Sequence, residues 1–441
     1  MHPLDLLTSW TEALLAERDD ERARVAEVLD HASLKVRRSE GLTWSPVEVT
    51  AASYAFGGAK WSLTCQEGGG LPGVFRVGGA VLLTPVGDRN AMEDLGAWPA
   101  RVMKMRGMQM DVVLEGDGPE GVAIQHIKWT VDARPDERSY KAMAHALSHW
   151  INVDSEELKA FRDAAIGMGP WARTLPAAEA VQGDISGLND QQAHAAKDIW
   201  SRSNLSLLHG PPGTGKTRTL VAAVAGLVQD GEKVLASAPS NMAVDVLVER
   251  FTEAGLNVVR VGHPIRVGKH VLERTLDALV QRQPEYNRVL KRRQEAEQRQ
   301  READRHVRNF GAEQREARKQ ARSEASALRK EAEELEAYLS EKVIREAEVV
   351  CATLVGCDDR RLRGVTFDVA LVDEAAQALP PATLIPMRRA SRLVLCGDPC
   401  QLPPVVKSLG GRALEKTMLE SLIEQHPEHT VMLEVQHRMH E

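Results

Sequence analysis

Hydrophobic positions are spaced differently in successive parts of the 441-residue chain. Residues 4–31 place their large apolar side chains at helical spacing among many charges, which predicts an amphipathic helix. Residues 34–132 contain short apolar runs separated by glycine clusters, a pattern typical of a small β-barrel or sandwich. Helical periodicity returns at residues 137–165. The first part of the chain is therefore predicted to contain a helix, a small β unit and further helix.

From residue 205 onward, apolar runs alternate with helical segments. The run 205–208 precedes a glycine-rich turn, a helix through Gln229 and a second apolar run at 233–238. Strands that alternate with helices in this way predict a parallel sheet covered by helices. The further apolar runs are 258–261, 349–355, 369–372 and 393–395.

One charged segment, residues 276–347, interrupts this alternation. Half of the 50 residues in 288–337 are charged, 14 basic and 11 acidic, and strong helix formers dominate the segment. Asn309-Phe310-Gly311 is its one turn signal, so we predict two antiparallel helices. Two interpretations stay open for this hairpin: it contacts a polyanion, or it is a solvated charged hairpin without a ligand.

Composition narrows the class of protein. The chain carries 56 Lys and Arg against 63 Asp and Glu, which argues against a basic DNA-coating protein but allows a locally basic groove. The longest apolar stretch, residues 220–228, is far shorter than the ~20 residues of a membrane span. The start lacks the pattern of a signal peptide, and five cysteines, an odd number, do not indicate a disulfide framework. We therefore expect a soluble, cytoplasmic, multidomain protein.

A phosphate-binding loop follows the apolar run 205–208. Residues 210–217 match G-x-x-x-x-G-K-[ST] in full, between a predicted strand and a predicted helix. Backbone N–H groups of such a loop point at phosphate oxygens, at the positive end of the following helix. Lys216 supplies a charge for the β- and γ-phosphates, and Thr217 supplies a hydroxyl to Mg²⁺. The alternative, a glycine-rich turn that binds nothing, fits these flanking elements poorly.

Two later turns supply candidate partners for a bound triphosphate. The run 369–372 ends in Asp373, placed to hold Mg²⁺ through its water shell, and Glu374, placed to polarise the attacking water. Strand-end carboxylates also cap helices, but when they follow a complete phosphate loop in the sequence they indicate an ATPase site. Gln401, on a proline-stiffened turn, can sense the γ-phosphate, and a rigid turn without that role is the open alternative. Cys396 and Cys400 lack a nearby second ligand pair, so no metal site is predicted there.

In combination, these motifs resemble those of superfamily 1 helicases, specifically the group that includes the nonsense-mediated-decay helicase and the immunoglobulin-mu-binding-protein helicase. The resemblance covers about residues 188–441 and is looser before them. Leu188-Asn189-x-x-Gln192 is similar to the family's adenine-reading motif, which implies that Gln192 contacts the base. Residues 436–440 resemble the motif that opens the second motor domain, in which Arg438 would contact the γ-phosphate. His437 stands where the family usually has a tyrosine that stacks on adenine.

The resemblance also assigns roles to the remaining motif residues. Segments 238–245, 260–264 and 351–353 are similar to the family's strand-contacting motifs. The implied nucleic-acid contacts are Pro239, Ser240, Asn241, His263 and Thr353. The implied catalytic residues are Lys216, Asp373, Glu374, Gln401 and Arg438, and the implied Mg²⁺ ligands are Thr217 and Asp373. The implied nucleotide-binding residues are Gln192, Gly210, Pro211, Pro212, Gly213, Thr214, Gly215, Lys216, Thr217, Arg218 and His437.

The implied fold is α/β. A RecA-like phosphate-loop sheet would carry an N-terminal helical stalk, a small β-barrel and an inserted charged helical hairpin, and in the family both accessory parts grip nucleic acid. The predicted segments are a stalk helix 1–33, barrel 34–132, helical linker 133–185, first motor segment 186–275, hairpin 276–347, second motor segment 348–430 and the start of a second RecA-like domain at 431–441. The rest of that second domain would come from the same chain or another one.

These expectations describe an ATP-dependent helicase or translocase that hydrolyses ATP with Mg²⁺ and moves on single-stranded DNA or RNA. The resemblance implies movement in the 5′-to-3′ direction. The alternative is a non-motor binding module in which ATP switches the affinity for nucleic acid. Multiple-turnover hydrolysis that single strands stimulate would separate the two.

Overall fold

A computed structural model describes residues 2–55, 58–65, 75, 78–86, 96–115, 118, 124–135, 137–171, 183–201, 203–262, 267–304 and 312–437. The chain divides into two compact units. One is Leu15–Tyr140, and the other combines Met1–Leu14 with Lys141–Glu441. The first helix, α1 (Pro3–His31), contributes residues to both units.

The unit Leu15–Tyr140 is built around a closed six-stranded barrel. Side chains of alternate residues face the interior, where Trp44, Trp61 and Trp129 are buried. The rings of Trp61 and Trp129 meet edge to face, with centroids 5.0 Å apart. Of the two predicted alternatives, the barrel is therefore the correct one. After helix α2 (Leu34–Ser39), its strands are β1 (Thr43–Ala55), β2 (Gly58–Cys65), β3 (Ala80–Val86), β4 (Trp98–Arg106), β5 (Gln109–Leu114) and β6 (Lys128–Ala133), paired in the order β1-β2-β5-β4-β3-β6.

The second unit contains a seven-stranded sheet whose described pairings are all parallel. Its central strands are apolar and buried, as expected for a sheet that is covered on both faces. Each predicted apolar run overlaps one of these strands, and the last strand along the chain, Thr430–Met432, was not predicted. The strands are β7 (Leu205–His209), β8 (Val234–Ala238), β9 (Val258–Arg260), β10 (Val349–Thr353), β11 (Phe367–Val372), β12 (Ala390–Gly397) and β13 (Thr430–Met432), in the order β13-β7-β12-β11-β8-β10-β9.

Helices connect and flank these strands. The predicted helical stretch 137–165 is interrupted, because the Ser155 hydroxyl accepts a hydrogen bond from the Leu158 N–H and starts a new helix there. The helices are α3 (Glu137–Ile151), α4 (Glu156–Ala165), α5 (Asp190–Trp200), α6 (Lys216–Gln229), α7 (Asn241–Glu253), α8 (Leu276–Gln281), α9 (Tyr286–Asp304), α10 (Ala312–Glu346), α11 (Pro380–Met387) and α12 (Met418–Gln425).

Helices α9 and α10 form the predicted antiparallel hairpin. Its ion pairs join residues that advance along α9 to residues that recede along α10, from Arg293–Glu336 at 2.6 Å to Arg299–Glu324 at 3.1 Å. Between them lie buried alanines, including Ala296, Ala303, Ala325 and Ala332. Small side chains thus allow close packing of two helices that carry few large apolar residues. The predicted turn at residues 309–311 lies outside the described part of the chain.

The predicted fold class is confirmed, since the parallel sheet, the barrel and the inserted hairpin are all present. The residue boundaries given above for the seven segments stay a prediction. Within the described residues, no helix combines the length and the apolar character that crossing a membrane would require.

Candidate nucleotide site and nucleic-acid interface

The phosphate loop curls between the end of β7 and the start of α6. Gly213 and Gly215 adopt left-handed backbone conformations, with φ of +84° and +82°, which glycine reaches without steric cost. The Thr214 hydroxyl donates to the Pro211 carbonyl at 2.7 Å and closes the turn. The Gly210 N–H donates to the Gly397 carbonyl at 3.0 Å, which ties the loop to the end of β12. The N–H groups at the start of α6 therefore open toward a site suited to phosphate.

The predicted acidic pair lies directly beside the loop lysine. Because β11, β12 and β7 run parallel, their carboxyl ends share one edge of the sheet. There the Lys216 ammonium lies 2.8 Å from Oε1 of Glu374 and 3.9 Å from Oδ1 of Asp373. Glu374 has a φ of +55°, the only positive φ of a non-glycine residue in the described chain. Such strained backbone is concentrated at functional sites.

Burial and neighbouring charged groups together set the pKa values of Asp373 and Lys216. Burial raises the pKa of Asp373 to about 6, although Lys216 lowers it and Glu374 raises it further. Burial would lower the pKa of Lys216, but the neighbouring Cys396, Asp373 and Glu374 outweigh it and raise that pKa. Lys216 therefore remains a cation at neutral pH.

The residues present at this edge fit Mg²⁺ bound together with nucleotide phosphates. Thr217 and Asp373 offer a hydroxyl and a carboxylate, the oxygen donors that Mg²⁺ prefers. Oε2 of Glu374 is buried, and no group in the described part of the chain donates a hydrogen bond to it, so it can accept a bond from a molecule in the site. Among the described residues, no cluster of three or more His, Cys, Asp and Glu side chains could hold a metal alone. Mg²⁺ commonly relies on one or two carboxylates, phosphates and water.

Gln401 is connected to the phosphate loop through two residues that sequence reasoning missed. The Asp398 side chain accepts hydrogen bonds from the Gln401 amide at 3.4 Å and from the Cys400 N–H at 3.0 Å. Its Oδ1 also lies 3.2 Å from Nε2 of His209, the residue before Gly210. A usable signal was present, because Asp398 follows a buried strand just as Asp373 does.

Gln192 lies against the phosphate loop and is almost fully buried. Its side-chain oxygen Oε1 accepts from the Asn189 N–H at 3.1 Å, and its side-chain Nε2 donates to the Thr214 carbonyl at 3.0 Å. The first contact belongs to a capping box at the start of α5, which the spacing Asn-x-x-Gln could have revealed. The predicted contact of Gln192 with adenine stays a prediction.

The segment after β13 also reaches the loop. The His437 N–H donates to the Gly213 carbonyl at 2.9 Å, and the Gln436 amide donates to the Pro212 carbonyl at 2.6 Å. The contact of Gln436 was not predicted. Arg218 is exposed on α6, whereas Arg438 and His263 lie outside the described residues.

The described nucleic-acid candidates lie at the same carboxyl edge of the sheet. Thr353 ends β10 in register with Ala238 of β8, and Pro239, Ser240 and Asn241 follow Ala238. The Ser240 hydroxyl oxygen accepts from the Ala243 N–H at 3.1 Å, and the Thr353 hydroxyl oxygen accepts from the Gly356 N–H at 3.0 Å. Each hydroxyl therefore keeps its proton for an external acceptor.

The sequence of this chain is similar to those of several known proteins. The family described as "AAA domain" matches residues 187–409. An uncharacterized ATP-dependent helicase of Methanocaldococcus jannaschii, MJ0104, is 30% identical over 75% of this chain and 54% of its own length. DNA-binding protein SMUBP-2 of Rattus norvegicus is 36% identical over 58% of this chain and 26% of its own. A regulator of nonsense transcripts 1 homolog of Arabidopsis thaliana is 32% identical over 60% of this chain and 20% of its own length.

The chain thus spans between about a fifth and about half the length of these relatives. The family match covers more than half of the chain, and it contains both the phosphate loop and the acidic pair. The predicted resemblance is confirmed. The chain belongs to the AAA domain family and, within it, to the superfamily 1 helicases of the group that includes SMUBP-2 and the regulator of nonsense transcripts 1.

Proposed function

We propose that this chain is the ATP-hydrolysing part of a superfamily 1 helicase or translocase that acts on single-stranded DNA or RNA. The observation that carries the proposal is the pair formed by Lys216 and Glu374, 2.8 Å apart, beside the phosphate loop. A relative named as an ATP-dependent helicase supports the same function. Movement from 5′ to 3′ and nucleic-acid contacts by the barrel and the hairpin belong to this proposal, on the family resemblance.

ATP binding would rearrange the Lys216–Glu374 pair. A phosphate that enters the loop competes for the Lys216 ammonium, because it carries more negative charge than one carboxylate. Glu374 is then free to accept a proton from water as the water oxygen attacks the γ-phosphorus. The bond from that phosphorus to the bridging oxygen breaks, and ADP and inorganic phosphate leave.

The remaining groups stabilise charge around this reaction. Thr217 and Asp373 would hold Mg²⁺ together with the phosphates, and the ion would neutralise phosphate charge. Gln401, held by Asp398, would contact the γ-phosphate, and Arg438 would supply a further positive charge. Gln192 and His437 would lie on the base side of the loop.

The decisive experiment measures steady-state ATP hydrolysis with and without single-stranded oligonucleotides. The wild-type chain is expected to bind Mg·ATP but to hydrolyse it slowly by itself, and to turn over repeatedly, faster in the presence of single strands, once the remainder of a second RecA-like domain is present. Glu374→Gln should keep Mg·ATP binding and lower turnover by about 10²- to 10⁴-fold, the usual contribution of a general base. Glu157→Gln, at an exposed position on α4, makes the same chemical change away from the site and should leave the rate unchanged.

The outcomes distinguish the two candidate functions. Failure to bind Mg·ATP would refute the nucleotide site itself. Binding of Mg·ATP with no strand-stimulated turnover, together with an ATP-dependent change in oligonucleotide affinity, would favour the switch module. Normal turnover by Glu374→Gln would show that the acidic pair is wrongly assigned.

A further inference from the structure

A buried ion pair lies directly behind the predicted strand contact Asn241. Arg260, the last residue of β9, is 1% exposed, and Asp245 on α7 is 5% exposed. Nε of Arg260 donates to Oδ1 of Asp245 at 3.0 Å, and Oδ2 of Asp245 accepts from the Gly268 N–H at 2.7 Å. Removing two charges from water is costly, and their attraction often does no more than offset that cost. The atoms that this pair holds in place therefore indicate its role better than its contribution to stability.

The guanidinium of Arg260 also fixes the orientation of the Asn241 side chain. Nη1 donates to the Val261 carbonyl at 2.6 Å, and Nη2 donates to Oδ1 of Asn241 at 2.9 Å. Asn241 and Asp245 are four residues apart on α7, so one face of the helix presents both to Arg260. Because a guanidinium carries only donors, the amide oxygen of Asn241 must face it. The amide NH₂ must then point the other way.

The outward NH₂ group completes a surface that offers hydrogen-bond donors. In the described part of the chain, no atom accepts a hydrogen bond from Nδ2 of Asn241. The hydroxyl oxygens of Ser240 and Thr353 accept hydrogen bonds from backbone N–H groups, so the two hydroxyl protons also remain available for donation. Phosphodiester oxygens are pure acceptors, whereas base edges offer both donors and acceptors. The chemistry of this surface therefore suits the backbone of a strand and carries no sequence preference.

We propose that Arg260 is a positioning residue for nucleic-acid binding. Together with Asp245 it locks the Asn241 amide with its NH₂ outward, where that group donates to a phosphate oxygen of a single strand. The inference rests on the proposed function and identifies the phosphodiester backbone as what this part of the site recognises.

A double-mutant cycle on a fluorescent oligothymidylate tests whether Arg260 acts through Asn241. Arg260 donates to Asp245, to the Val261 carbonyl and to Asn241. Arg260→Lys keeps the charge, but a compact ammonium cannot reproduce the spacing of the donors on a planar guanidinium. The side-chain amide of Asn241 therefore loses its fixed orientation. Arg260→Lys and Asn241→Ala should each weaken binding by about ten- to a hundredfold, the range for one hydrogen bond to a charged group. The double variant should bind no more weakly than Asn241→Ala alone. A merely structural role predicts the opposite, an additional loss in the Asn241→Ala background.

A second variant keeps the proposal testable if Arg260→Lys does not fold. Asn241→Asp retains an acceptor for Arg260 but turns an oxygen toward the strand in place of the NH₂. Its melting temperature should equal or exceed that of the wild type, while its affinity for the oligonucleotide falls by at least about tenfold through the lost bond and the added repulsion. Gln229→Glu, at the opposite end of α6 from the phosphate loop, makes the matched change of charge and should bind normally.

The results separate this inference from the proposed function. A wild-type chain that does not bind the oligonucleotide would refute the proposed function. A wild-type chain that binds, with additive losses in the cycle or with normal binding by Asn241→Asp, would overturn the role of Arg260 alone.

Discussion

Replacing Gly213 by alanine should weaken ATP binding by an amount that the structure defines. Gly213 has a φ of +84°, and a Cβ placed there would lie 1.8 Å from Oε1 of Gln436. A left-handed conformation costs a non-glycine residue about 1–2 kcal/mol. Without nucleotide the loop can relax and avoid this cost, but a bound phosphate requires the curled form. The cost should therefore appear as Mg·ATP affinity lowered by about 5- to 30-fold.

Isothermal titration with Mg·ATP measures this effect, and thermal denaturation monitors stability. Gly231→Ala is the matched control, because Gly231 has a φ of +83° and a Cβ placed there would meet no described atom within 4 Å beyond its chain neighbours. It should lower stability by about 1 kcal/mol and leave ATP affinity unchanged. Adding Gln436→Ala to Gly213→Ala removes the overlap but not the backbone cost, so affinity should recover only in part. Wild-type affinity in Gly213→Ala would refute the reasoning.

Three further predictions concern other parts of the molecule. Asp398→Asn should lower the kcat of strand-stimulated hydrolysis several-fold with little change in Mg·ATP affinity, because it weakens the support of Gln401; an unchanged kcat would contradict that link. Trp129→Ala should destabilise the barrel by about 3–5 kcal/mol in chemical denaturation, and a loss below about 1 kcal/mol would show that the core is not packed as described. Shortening the hairpin by removing residues 300–323 leaves the Arg299–Glu324 pair to close it. If the hairpin contacts the strand, oligonucleotide affinity should fall and the salt dependence should flatten by about 0.7 in log–log slope per lost phosphate contact, whereas an unchanged isotherm would favour a solvated hairpin.

Local patterns explain which parts of this structure could be predicted. The phosphate loop, the strand before Asp373 and the helices of the hairpin are all specified by residues close together in the sequence. Helix formers and one turn signal were enough for the hairpin, although the packing of its alanines was not foreseen. The reason is that alanine promotes a helix without indicating what it packs against.

Contacts between distant residues explain what could not be predicted. His209 and Asp398 are 189 residues apart, and no local pattern joins them. Arg260 and Asp245 belong to different elements, and only the fold makes both of them buried. The left-handed backbone of Glu374 was also invisible in the sequence, because glycine rather than glutamate is the usual signal for that conformation.

The phosphate loop is where these long-range contacts converge. The Gln192 side chain on α5 donates a hydrogen bond to the Thr214 carbonyl, and the Gln436 side chain donates one to the Pro212 carbonyl. The carbonyl of Gly397, at the end of β12, accepts from the Gly210 N–H. The segment that carries Gln436 is itself fastened to α5, because the side chain of Gln191 exchanges two hydrogen bonds with Glu434, at 2.7 and 2.8 Å. A change in the loop on ATP binding must alter some of these bonds. Since the Gln436 amide and the His437 N–H both donate to backbone carbonyls of this loop, occupancy of the nucleotide site is expected to change the position of residues 434–437, immediately before Arg438.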